Sequence, residues 1–329
     1  MDSHLYLDID EEVMRHLNYK QIFRWIIIIA IFLYLGKMVW DNWAQVRKAP
    51  FIFKPFPLVL STLIFALTYF IQILAWYFLT LKLGIAISFG RTIESWLYSQ
   101  LGKYMPGKVW LLLGRFYFYQ SKGKSKKAIS IALYFETITL FMAAGIISFV
   151  ALIFFKEGGP FRSGTPFGWV IFLLVFALIM LHPQVLQKIF NWFLIQFKKE
   201  PISLSISYSD ILWVLLICIL AWVIGGIGFY LFVQSVFSVS PSHILFLTGA
   251  LAFSSTLGLI ALFAPSGLGV REGVLVYLLS YLMPGSIAVV ISVLTRIWMT
   301  LIEIGLIGVI YLSGRFHKGS EKREKHVKT

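Results

Sequence analysis

Long apolar blocks alternate with short polar connectors along most of this chain. About 20 apolar residues wound into a helix cover the hydrocarbon core of a bilayer, which is roughly 30 Å thick. Blocks at 22–40, 57–81, 127–155, 210–234 and 286–312 meet that requirement, and a shorter one runs from 167 to 182. They predict six full transmembrane helices. Residues 1–21 are polar and mildly amphipathic, which suits either a helix lying on the membrane surface or a disordered tail. Residues 183–209 read as an interfacial helix followed by a loop.

Two apolar regions break this rhythm. Residues 89–120 are rich in aromatics but also hold Arg91, Glu94, Gln100, Lys103, Lys108 and Arg115, and Pro106-Gly107 divides them into two short pieces. Residues 243–283 are divided at Pro265–Gly269, directly before the charged pair Arg271-Glu272. Irregular backbone survives at membrane depth only where protein or a wet cavity covers it, so both segments are expected to be re-entrant helical hairpins.

Composition agrees with this class. The 329 residues are 59% hydrophobic and 13% charged, with a mean hydropathy of +0.82, too apolar for a soluble domain of this length. The acidic start (Asp8, Asp10, Glu11, Glu12) lacks the basic region of a signal peptide, so the first block is expected to be retained. The single cysteine, Cys218, lies within an apolar block and reads as a core filler. A net charge of +14 would suggest nucleic acid in a soluble protein. Here the cations fall in loops and tails, where they set topology and meet anionic headgroups. The Lys122–Lys127 run, the Lys188–Lys199 loop and the basic tail of 313–329, expected to be disordered, all belong on the cytoplasmic side, as do both termini. Arg47, Lys48 and Lys54 then fall outside, against the rule.

With these sides assigned, the hairpins open to opposite faces. Each precedes a span with charge near its middle: Glu136 follows Pro106 by 30 residues and Arg296 follows Pro265 by 31. An inverted repeat follows, with one copy at about 57–155 and the other at about 210–312, inside one membrane domain of 22–312.

Arg115, Glu136, Arg271, Glu272, Arg296 and Glu303 are charges at membrane depth, each costing about 2.5–3.5 kcal/mol or more if turned to lipid. They must meet one another or line a cavity. Ser292, Arg296, Thr300 and Glu303 share one helix face, and Thr139 shares a face with Glu136. Buried ion pairs that hold the repeats together are the plain reading. The backbone adds another. A helix restarting near Leu268 or Gly269 offers free N–H groups and a positive dipole end, Gly267 and Gly269 allow close approach, and Arg271 adds a charged donor. Gly107, Lys108 and Arg115 repeat the device from the other side. The candidate substrate-binding residues are therefore Lys108, Arg115, Glu136, Gly267, Gly269, Arg271, Glu272, Arg296 and Glu303, and a phosphate suits them. The six histidines show no metal spacing, and no phosphate-loop, dinucleotide or nucleophile motif is present. Neither cofactor nor enzymatic activity is expected. Gly225-Gly226-Ile227-Gly228 is expected to let a neighbouring helix approach. Trp40, Trp43, Trp76, Trp96, Trp169 and Trp192 suit anchoring at the membrane interface.

Leu101-Gly102-Lys103-Tyr104-Met105-Pro106-Gly107-Lys108, then Gly114-Arg115 and Tyr134-Phe135-Glu136, resemble the first half of the lysylphosphatidylglycerol synthase transmembrane-region family. Pro265-Ser266-Gly267-Leu268-Gly269-Val270-Arg271-Glu272 and Arg296 resemble its second half, where P-G-G-x-G-x-R-E is usual and Ser266 replaces a glycine. The resemblance implies the flippase-like part of lipid-aminoacylating enzymes, moving an anionic phospholipid or a polyprenyl-phosphate-linked lipid between leaflets. It does not imply aminoacyl transfer, which belongs to a soluble domain. Expected partners are membrane lipids with anionic headgroups and, for some relatives, a glycosyltransferase or lipid synthase; nucleic acid is not expected. Alternatives are a non-transporting membrane partner of such an enzyme, or a small-anion transporter.

Overall fold

A computed structural model describes residues 53–104, 109–155, 181–196, 206–261 and 267–327, together with isolated positions 33, 37, 40, 172, 175 and 179. Most of the expected first (22–40) and fourth (167–182) spans and both hairpin tips at Met105–Lys108 and 262–266 lie outside the described residues. Among the described residues the chain is helical, without a strand.

Nine helices follow in order among the described residues: α1 Pro55–Lys82, α2 Phe89–Gln100, α3 Val109–Gln120, α4 Lys126–Phe154, α5 Pro183–Gln196, α6 Tyr208–Val236, α7 Ile244–Ile260, α8 Val270–Leu279 and α9 Gly285–Val327. Short 3₁₀ turns at Leu101–Tyr104 and Pro241–His243 adjoin α2 and α7. Local chemistry sets the ends. Proline occupies the first turn of α1, where a missing N–H costs nothing. Ser125 and Ser207 cap α4 and α6 by accepting from the Ala128 and Asp210 N–H groups. Asp210 also suits the positive end of α6 and pairs with Lys82 at 2.8 Å.

Five described helices are long and apolar enough to cross a membrane: Pro55–Lys82, Lys126–Ala151, Tyr208–Val236, Pro241–Ile260 and Gly285–Leu312. Two differences from the sequence reading stand out. The first arm of the second broken segment reaches spanning length, because its break comes late in an unbroken apolar run. The basic tail, expected to be disordered, continues α9 to Val327, where strong helix formers (Glu, Lys, Arg) sustain the winding.

The elements recur twice as long helix, helical hairpin, long helix: α1, α2–α3, α4 and α6, α7–α8, α9. The packing recurs with them. α1 lies along α6 as the widest interface, α4 on α7 is matched by α9 on α2, and α4 on α6 by α9 on α1. The direction of α1 against α6 follows from paired residues: Lys54 N–H donates to Ser235 O, Ser61 Oγ to Gly228 O, and Lys82 meets Asp210. Numbers rise on one helix as they fall on the other, so α1 and α6 run antiparallel and the second copy is inverted. Lys54 and Ser235 mark one end of the bundle, Lys82 and Asp210 the other.

The α1–α6 contact is close because Gly225 faces Thr68 and Gly228 faces Ile64, while Gly226 faces Thr248 of α7. The glycine cluster thus serves helix approach, as its spacing predicts. Trp76 and Trp96 do not anchor an interface. Trp76 is fully buried and Trp96 is 3% exposed, both in the core cluster with Tyr119, Phe65 and Phe135. Trp40 and Trp192 are exposed, while Trp43 and Trp169 lie outside the described residues.

Candidate functional site

The hairpin arms fold back tightly, and glycine makes this possible. A Cβ at Gly102 would meet the Trp110 and Leu111 backbone at 2.5 Å, so the arms of the first hairpin cross there. In the second, Gly267 has φ +68° and a Cβ there would lie 2.5 Å from Gly258 O. That position needs glycine both for its left-handed backbone and for the crossing. The close approach expected of Gly267 toward a headgroup is therefore taken up by Gly258 of the same hairpin. Gly269, at φ +84°, is the N-cap of α8, so the helix restarts at Val270.

Two charge clusters form, one in each repeat, with reversed polarity. In the first, the cation is on the hairpin arm: Arg115 Nη1 donates to Glu136 Oε1 and Oε2 at 2.6 and 2.5 Å. Trp96 Nε1 donates to the same carboxylate at 3.0 Å. The Arg115 guanidinium lies 4.9 Å from the Trp76 ring and 5.6 Å from the Trp96 ring, and Trp76 Nε1 donates to Tyr119 OH at 3.0 Å. Arg115 is enclosed and held on two aromatic faces. These partners among the described residues belong to α1, α2 and α4 of the first repeat. Thr139, expected on the Glu136 face, returns its hydroxyl to Phe135 O at 2.6 Å.

In the second cluster the anion is on the hairpin arm. Glu272 Oε2 accepts from the Gly269 N–H at 2.7 Å, and Glu272 Oε1 accepts from Arg296 Nη1 at 2.5 Å. A donor expected to await an external anion at this helix start is thus met by the chain's own carboxylate. Ser292 Oγ donates to Glu272 O at 3.3 Å. Two turns beyond Arg296, Glu303 accepts from Tyr69 OH at 2.6 Å and pairs with Lys103.

Arg271, partly buried, differs from Arg115, Lys103 and Arg296 in its partner. Its Nη2 donates to the Met299 sulfur at 3.1 Å, its Nε, like that of Arg115, is buried without a partner, and no carboxylate lies within ion-pair distance of it among the described residues. Lys103, from the first hairpin, and Arg271, from the second, meet α9 one turn apart, at Glu303 and Met299. The two hairpins therefore converge, through Lys103 and Arg271, on one face of α9, in the polar stripe that its sequence predicts. Around it, Lys103, Arg271 and Arg296 stand against Glu272 and Glu303, an excess of one positive charge among the described residues.

Lys108 lies outside the described residues. Sequence reasoning missed Lys103, Tyr69 and Met299. The available signal for Lys103 was its neighbour Gly102, which marks where the hairpin arms cross; the tip residues Pro106-Gly107 drew attention to Lys108 instead.

A helical hairpin ending in Gly-x-Arg-Glu, an arginine on the following span and an Arg–Glu pair of opposite polarity in the other half make a composite pattern. Residues 25–308 match the family described as the lysylphosphatidylglycerol synthase TM region. The chain belongs to that family. No curated protein matches the chain closely enough to be cited as a relative. Membership in the lysylphosphatidylglycerol synthase transmembrane-region family establishes a multi-pass membrane domain associated with lipid synthesis and flippase-like function. All the charged residues of both clusters fall within the matched span.

Proposed function

We propose that this chain is a flippase-like translocator that carries a phosphate-bearing anionic lipid between leaflets and performs no covalent chemistry. The observation that carries this reading is Arg271: a partly buried guanidinium where the two hairpins converge, which among the described residues meets a thioether sulfur and no carboxylate. A charge at that depth is costly without a counter-ion, and an anionic headgroup supplies one. The surplus positive charge around it favours the same ligand. The hairpins reach the site from opposite ends of the bundle, as alternating access requires. The lysine-rich end, with Lys82, Lys122 and Lys126, faces the cytoplasm in this reading, and the membrane is the cell membrane. A glycosyltransferase or lipid synthase would supply or consume the lipid.

The test is transbilayer exchange in proteoliposomes of the purified protein, read by headgroup accessibility to a membrane-impermeant quencher. Exchange of a labelled anionic lipid well above that of empty liposomes is expected, and Arg271→Ala should abolish it while leaving the protein folded. Rates equal to empty liposomes across several anionic lipids would sink the reading and leave a non-transporting partner of a lipid enzyme in its place.

A further inference from the structure

We propose that Lys103 is the second cation of the Arg271 anion site, and that Glu303 is a resident counter-ion which a phosphate-bearing headgroup displaces. This rests on the translocation reading and identifies its ligands more closely.

Three observations carry it. Lys103 and Arg271 come from different hairpins, yet their α9 partners Glu303 and Met299 are four residues apart and so stacked on one face. Glu303 takes Lys103 of the first hairpin together with Tyr69 of α1, one turn from the Met299 sulfur that takes Arg271 of the second.

The second observation is asymmetry. The offset of 160 from Glu136 to Arg296 places Ala143 at the counterpart of Glu303, and that of 159 from Pro106 to Pro265 places Leu262 at the counterpart of Lys103. The Lys103–Glu303 bridge occurs once, and the other half has apolar residues at those positions.

The third is chemical. Lysine is a point charge on a flexible stem that can change partners, whereas Arg115 is fixed between two tryptophan rings on a single carboxylate. Between Lys103 and Arg115, Lys103 is the exchangeable one. Phosphate oxygens can accept from Lys103 and Arg271 together, a two-sided grip taken from both hairpins.

Binding of dioctanoylphosphatidylglycerol to the full-length protein in detergent tests this, with glycerol 3-phosphate run beside it to separate lipid from free phosphate. Glu303→Gln removes the competing charge and should tighten lipid binding about tenfold. The double variant Lys103→Gln/Glu303→Gln strands neither member of that ion pair and should fold, with lipid bound at least about tenfold more weakly than by Glu303→Gln alone. Lys103-dependence for both ligands identifies the phosphate as the recognised group, and dependence for the lipid alone the whole headgroup; both support the assignment. Equal affinities for the single and double variants would overturn the role of Lys103. No tightening in Glu303→Gln would overturn that of Glu303. In either case binding that still depends on Arg271 leaves the translocation reading standing, whereas no binding to the unaltered protein removes both.

Discussion

Arg115 and Arg271 both lie in the second arm of a hairpin, the first buried and the second partly so, and the structure gives them different surroundings. Arg115 is paired with Glu136 and lies against two tryptophan rings; Arg271 meets, among the described residues, a sulfur and no carboxylate. Removing one partner of a buried pair strands the other charge, at a cost of about 3–5 kcal/mol. Arg115→Met is therefore expected to lower the thermal midpoint in detergent sharply. Arg115→Met/Glu136→Gln should recover most of the loss, because Trp96 can still donate to the amide oxygen, and should retain lipid exchange. A double variant that is stable but inactive would place Arg115 in the transport path instead. The six charges at membrane depth were legible as a set, because few residues are costlier in an apolar block. Their pairing was not. Partner choice depends on which helix faces turn together, and Arg115 is enclosed by Trp76 and Trp96, two residues that composition assigns to the interface.

At the scale of elements, the broken segments were visible from proline and glycine, and their arms do fold back. What stayed hidden was the use of each glycine. Gly267, beside a charged pair, invites a ligand reading, yet the space above it is filled by the Gly258 backbone. Gly102 carries the equivalent crossing in the first hairpin with no proline next to it to draw notice. Gly267→Ala combines a left-handed backbone, costing about 1–2 kcal/mol, with overpacking of about 1–3 kcal/mol. A stability loss of about 2 kcal/mol or more is expected, together with weakened lipid binding as the arms part near Arg271. Gly273→Ala is the control: nothing lies within 4 Å of a Cβ there, and alanine favours helix, so its thermal midpoint should hold or rise. Equal losses in both variants would show that the crossing at Gly258 is not tight.

For the molecule as a whole, the antiparallel run of α1 against α6 decides the geometry. α1 goes from the Lys54 end to the Lys82 end, so α2 and α3 enter and leave at the Lys82 end. α6 runs the other way, so α7 and α8 enter and leave at the Lys54 end; stacking of Phe155, just beyond α4, on Phe246 of α7 fixes the same assignment. The hairpins must then open to opposite sides of any membrane the long helices cross. Single cysteines in a Cys218→Ala background report this directly. Ser121→Cys at the mouth of the first hairpin and Ser209→Cys near the start of α6 are exposed at one end of the bundle; Ser242→Cys and Ser280→Cys, at the two ends of the second hairpin, are exposed at the other. A membrane-impermeant maleimide applied to intact cells should label Ser242→Cys and Ser280→Cys and spare Ser121→Cys and Ser209→Cys, with the pattern reversed in inverted vesicles. A fully reversed result would overturn the cytoplasmic assignment of the lysine-rich end while keeping the inversion. Labelling of both hairpin mouths from one side would overturn the inversion itself, and with it alternating access through this site, since Lys103 and Arg271 would then reach α9 from the same face.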